Sequence, residues 1–141
     1  MFTLHPQLAK DCFILGDLPL CRALLMNDAN YPWCILVPRQ DNIREIHELA
    51  QADQAQLLAE STRLARALTS LFRPDKLNIA ALGNLVPQLH LHHIARFTTD
   101  PAWPRPVWGQ HPARPYPAGA AAARRAALQA ALGLANLPSV S

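Results

Sequence analysis

Gln88-Leu89-His90-Leu91-His92-His93-Ile94 alternates polar and apolar side chains and sets His90 and His92 two residues apart. Alternation at period two marks an extended chain with one covered face and one offered face. On that reading Gln88, His90 and His92 share a face, Leu89 and Leu91 anchor the other, and His93 turns away from the pair. Imidazole titrates near neutrality, so two on one strand supply a nucleophile and a hydrogen-bond donor, or a pair of metal ligands. The plain alternative is two polar residues on a solvated face.

Outward from this run, Leu77 to Leu82 reads as a strand and Gly83-Asn84 as a tight turn. Val86 to Ala95 follows as the strand carrying the histidines, so the two form a hairpin. Further upstream, Leu57, Leu64, Leu68 and Leu71 recur at helical spacing within Ala52 to Phe72, with Leu58 and Phe72 beside them. Asp53 suits the start of that helix, Glu60, Arg63 and Arg66 lie largely off the stripe, and Pro74 ends it. Nearer the N-terminus, Cys12-Phe13-Ile14-Leu15, Leu20 to Met26 and Cys34-Ile35-Leu36-Val37 are short β-compatible runs. They are separated by a Gly16-Asp17 turn and a compact turn over Asn27 to Pro32.

After Arg96, expected as a solvated strand-end charge, prolines from Pro101 to Pro117 alternate with Trp103, Trp108 and Tyr116. Such a stretch cannot be central sheet, and its aromatic residues favour an ordered strap. An alanine-rich helix over Ala120 to Leu132 and a tail from Gly133 complete the chain. The expected fold is α+β: an antiparallel sheet of about five strands, one long helix on its inner face, a proline-rich strap and a C-terminal helix.

The 141 residues suffice for one domain with a real core, here taken as 1–141 with a core over about 12–110 and the strap and terminal helix over about 97–135. A formal charge of +3 with no block of like charge argues against a nucleic-acid-coating surface. Cys12, Cys21 and Cys34 are odd in number, lack CxxC spacing and sit in apolar runs, so they read as reduced core residues. With no signal peptide or membrane span visible, a cytoplasmic location is expected. Zinc would need more than His90 and His92: no Cys, Asp or Glu lies nearby, and only distant His47 or His111 is available to complete a site.

The stretch from Leu77 to Arg96 resembles the signature strand pair of the histidine triad family, whose motif is His-φ-His-φ-His-φ-φ. Gln88 stands in the first histidine's place, as in a bacterial type of that family. Leu24-Leu25-Met26-Asn27, a turn, and Pro32-Trp33-Cys34-Ile35-Leu36-Val37-Pro38-Arg39 are similar to the family's first half. The resemblance spans roughly residues 12 to 96.

It implies a phosphohydrolase or nucleotidyltransferase acting at the α-phosphate of a dinucleoside polyphosphate or nucleoside phosphoramidate. His90 matches the attacking residue, which forms a covalent nucleotidyl-histidine; His92 matches the third histidine, a donor to phosphate or leaving group. Gln88 is left with orientation or polar contact, since an amide exchanges no proton as imidazole does. Asn27 matches the position that contacts ribose hydroxyls and Asn84 a phosphate-contacting one, although turn chemistry explains each as well. Trp33 replaces a further histidine of many members, and Leu85 a Ser or Thr. The resemblance further implies a homodimer, no cofactor and no metal for the covalent step. A nucleotide-binding protein without turnover and a zinc-binding domain are the rival readings.

Overall fold

Two strands, β3 (Trp33–Pro38) and β5 (Leu91–Arg96), are buried along their whole length. Such strands belong in the middle of a sheet covered on both faces. The computed structural model describes residues 1–134 and places them so. With β1 (Cys12–Asp17), β2 (Cys21–Met26) and β4 (Lys76–Ala80) they form one antiparallel sheet in the order β1-β2-β3-β5-β4. The expected α+β class, five strands and long helix are observed.

The long helix α2 (Gln51–Phe72) buries Leu57, Leu64 and Leu68 against one face of the sheet, while Leu71, near its end, is 39% exposed. Arg73 caps it in the left-handed conformation just before Pro74. Glu60 was expected off the apolar stripe but is buried, because its carboxylate accepts the backbone N–H groups of Leu20 and Cys21, each at 2.8 Å. Two donors at the start of β2 are satisfied by this charge, which ties α2 to the sheet. The C-terminal helix α3 (Ala120–Leu132) packs beside α2, and Leu128 and Leu132 enter the same core. Of the tail expected from Gly133, residues 135–141 lie outside the described residues.

The other face is covered by α1 (Pro6–Asp11) and by the strap. With only six residues, α1 is too short to show a helical period in the sequence, and its signal is local. Pro6 occupies the first turn, and His5 Nδ1 caps it by accepting from the Gln7 N–H at 3.1 Å.

Three local expectations change. The chain does not turn at Gly16-Asp17; β1 runs through both with a bulge between Ile14 and Gly16. Gly16 has φ of 148°, and a Cβ there would meet Leu134 Cδ1 at 3.2 Å. The strand carrying the histidines begins at Leu91, not Val86, so β4 and β5 pair but are joined by the loop 81–90 rather than a tight turn. Pro87 has no N–H to give a ladder, and the Leu89 N–H is diverted to the Ile43 carbonyl at 2.9 Å. Arg96 is no solvated charge: it is 1% exposed and forks onto Asp100 at 2.8 and 3.1 Å. It also donates to Asn78 Oδ1 and lies over the rings of Tyr31 and Trp103. Buried guanidinium and carboxylate compensate each other here, and the strap is clamped to β5.

Cys21 and Cys34 are buried and Cys12 partly so, all as free thiols, and burial pushes those of Cys12 and Cys34 up to about 12. They are inert core residues, as their apolar neighbours suggested.

Candidate active site

His90 and His92 are brought together by the end of the loop and the start of β5, with ring centroids 4.9 Å apart. Both are buried, yet both line an open cavity of about 770 Å³ on the α1 side of the sheet. Its floor continues to Met26 at the end of β2, and one wall is α1, through His5, Gln7, Leu8 and Asp11. The loop 82–86 forms the lip, where Leu82 and Leu85 are 49% and 96% exposed. Trp108 of the strap closes the side, its ring 5.1 Å from that of His92.

The hydrogen bonds of the two imidazoles assign their tautomers. His90 Nδ1 lies 2.7 Å from the Gln88 carbonyl oxygen, which only accepts, so Nδ1 carries the proton and Nε2 holds the lone pair. His92 is the reverse: the Trp33 indole N–H, a donor only, gives its hydrogen to His92 Nδ1 at 3.0 Å. The neutral His92 ring therefore carries its proton on Nε2. Burial foremost, then the neighbouring His90 and His93, push its pKa down to about 3, so the ring is neutral at ordinary pH. One cavity thus holds a ring with a free lone pair beside a ring with a free N–H.

His93 is excluded from this chemistry, as the strand period required. It is fully buried under α2, where Nδ1 donates to the Leu91 carbonyl at 3.0 Å and Nε2 accepts from the Ser61 hydroxyl at 2.7 Å. Burial pushes its pKa down to about 4.

Other expected site residues divide. Asn84 lines the cavity at its exposed lip. Gln88 does not share the histidine face, because the chain there is loop and the side chain turns to the N-terminal segment. Its Oε1 accepts from the His5 N–H and its Nε2 donates to the Thr3 carbonyl, both at 2.9 Å. Only its backbone carbonyl serves His90. Asn27 does not line the cavity either: its Oδ1 accepts the Tyr116 N–H at 2.9 Å and fastens the strap. Asp28 is spent the same way, on the backbone N–H groups of Asn30 and Arg114. Trp33 is 7% exposed and lies behind His92, so it orients that ring instead of facing the cavity. Trp108, an aromatic among prolines suited either to border a base or to anchor packing, does line the cavity, whereas the α1 residues have the His5-Pro6 start as their one sequence sign. Among the described residues, no three His, Cys, Asp or Glu side chains gather as a metal-ligand set.

The HIT domain family profile matches residues 7–99, which hold both histidines, β1 to β5 and α2. The chain belongs to the histidine triad family. A histidine triad protein of Marinobacter aquaeolei is 54% identical, with a TM-score of 0.92 over 94% of this chain and 97% of that one. One from Bradyrhizobium japonicum is 50% identical, with a TM-score of 0.91 over 93% and 98% of the two chains. A third, from Sinorhizobium meliloti, is 44% identical with a TM-score of 0.90 over 92% and 96%. A comparison with curated proteins found no match. Histidine triad proteins are generally nucleotide hydrolases or transferases, and some are non-catalytic. No helix among the described residues of this member is long and apolar enough to cross a membrane.

Proposed function

We propose that this histidine triad protein cleaves a nucleoside phosphoramidate or dinucleoside polyphosphate at the α-phosphorus through a covalent nucleotidyl-His90 intermediate. The observation that carries the proposal is the pair of opposite tautomers in one cavity. His90 Nε2 attacks phosphorus with its lone pair, the bond from phosphorus to the leaving group breaks, and the leaving group takes its proton from solvent. The positive charge on the nucleotidyl-imidazolium falls on the Nδ1–H that the Gln88 carbonyl already accepts. Water then attacks phosphorus and releases its proton to solvent, and the P–N bond returns its electrons to His90.

His92 gives the Nε2–H to a non-bridging phosphate oxygen. It is a hydrogen-bond donor and not a general acid, since a ring held neutral down to about pH 3 has no spare proton near pH 7.

The decisive experiment incubates the protein with α-³²P adenosine and guanosine phosphoramidates and quenches in alkali, where phosphohistidine survives. Label bound to wild type and absent from His90→Ala supports the mechanism. Label retained by His90→Ala overturns it, and nucleotide binding without any label or turnover would leave a binding protein.

The same reading includes a homodimer. Strand β4 is an outer edge of the sheet, and its Ile79, 48% exposed, shares a groove with Leu58 of α2, 68% exposed. An unpaired edge with apolar side chains beside it suits a two-fold contact with a second copy.

A further inference from the structure

The end of the cavity away from the histidines contains a carboxylate that the proposed chemistry does not use. Leu24 stands beside Ile35, and Ile35 beside His92, across β2, β3 and β5. Met26 lies two residues along β2 from Leu24, so two strand spacings of about 4.8 Å and two residues of about 3.4 Å separate it from His92, about 12 Å in all. A nucleoside monophosphate with its phosphorus beside the His90–His92 pair, whose ring centroids are 4.9 Å apart, extends from the His92 side of that pair toward Met26 and directs its base there. Leu8 of α1 lines the same cavity and packs in the same apolar cluster as Met26, giving the base two apolar faces.

Asp11 borders this end: its carbonyl accepts the Asn27 N–H at 3.0 Å, directly beyond Met26. Its Oδ2 accepts from Gln7 Nε2 at 2.8 Å, which holds the carboxylate in place, and both residues line the cavity. Asp11 is the one carboxylate among the lining residues, and no Lys or Arg lines the cavity. A carboxylate accepts and never donates, so it favours a base edge made of N–H groups. Guanine presents its ring N1–H and its 2-amino group side by side. Adenine and cytosine flank their amino group with a ring nitrogen lone pair, and uracil flanks its N–H with two carbonyls; each places an acceptor against Asp11.

We infer that Asp11, oriented by Gln7, reads the base edge and makes this site prefer guanine nucleotides. The inference rests on the nucleotide reading of the cavity but not on turnover. Charge-assisted bonds at a partly open site correspond to about tenfold to a hundredfold in affinity.

The test is calorimetric titration of wild type and Asp11→Asn with GMP and with AMP. The expected result is GMP bound at least about tenfold more tightly than AMP by wild type, with the ratio reduced to about threefold or less in Asp11→Asn. Equal affinities in wild type, a preference for AMP, or a GMP preference that Asp11→Asn leaves intact would each overturn the inference while the nucleotide site stands. No binding of either nucleotide would remove the proposed function itself. Equal affinities or an AMP preference in wild type overturn the inference whether or not the variant folds.

Discussion

Trp33 Nε1–H donates a 3.0 Å hydrogen bond to Nδ1 of His92, and through it a residue that does not line the cavity decides which nitrogen of a cavity residue carries the proton. Without the indole donor, nothing described holds His92 in the tautomer that donates from Nε2. Trp33→Phe keeps an aromatic ring in place and removes the donor. We expect kcat to fall about tenfold with KM within about threefold, and stability to fall by about 1–2 kcal/mol. Steady-state kinetics alongside urea denaturation check this, and an unchanged kcat would deny Trp33 its positioning role.

Both buried histidines make the fold sensitive to acid. Their folded pKa values, about 3 for His92 and about 4 for His93, lie below the 6.5 of an unfolded histidine. Between those limits the unfolded chain binds more protons, so stability is complete above about pH 6.5 and drains away as pH falls toward 4. For His93 the loss is of order 3 kcal/mol. Denaturation midpoints at pH 7.5, 6 and 4.5 should decline steeply for wild type. Ser61→Ala/His93→Leu, which replaces the buried pair by apolar groups, should flatten part of that decline; an identical slope in the variant would assign the sensitivity elsewhere.

Gln88 acts through the N-terminal segment, which its side chain grips at His5 and Thr3. Gln88→Ala is therefore expected to lower stability by about 1–2 kcal/mol and to raise KM as the α1 wall loosens. If the amide instead touched phosphate, kcat would fall with stability intact, and parallel melting and kinetic measurements separate the two outcomes.

Leu58→Glu/Ile79→Lys places charges in the groove beside the β4 edge. Sedimentation of wild type is expected to report a dimer and that of the variant a monomer. A wild-type monomer at micromolar concentration would remove the dimer from the functional reading.

Much of this architecture is legible in local pattern. The leucine spacing of α2 matches the helical period because one face is buried, and the continuous apolar run of β3 reflects burial on both faces. The order of the two half-motifs around a long helix carries the family. His90 and His92 follow from the same kind of local evidence, two residues on one side of an extended chain. His93 is turned under α2 by the same alternation.

What only the tertiary structure decided is where each polar group spends its hydrogen bonds. Glu60 and Arg96 are charges that a local rule sends to solvent, and both are buried because distant partners compensate them: the start of β2 for one, Asp100 and Asn78 for the other. Asn27 and Gln88 look equally free in the sequence but are claimed by Tyr116 and by the N-terminal segment, 89 and 83 to 85 residues away. The tautomers of His90 and His92 depend on a loop carbonyl and on an indole 59 residues distant. Side-chain period sets which face a residue takes; the hydrogen-bond partners that make it chemical are assembled only when the chain closes on itself.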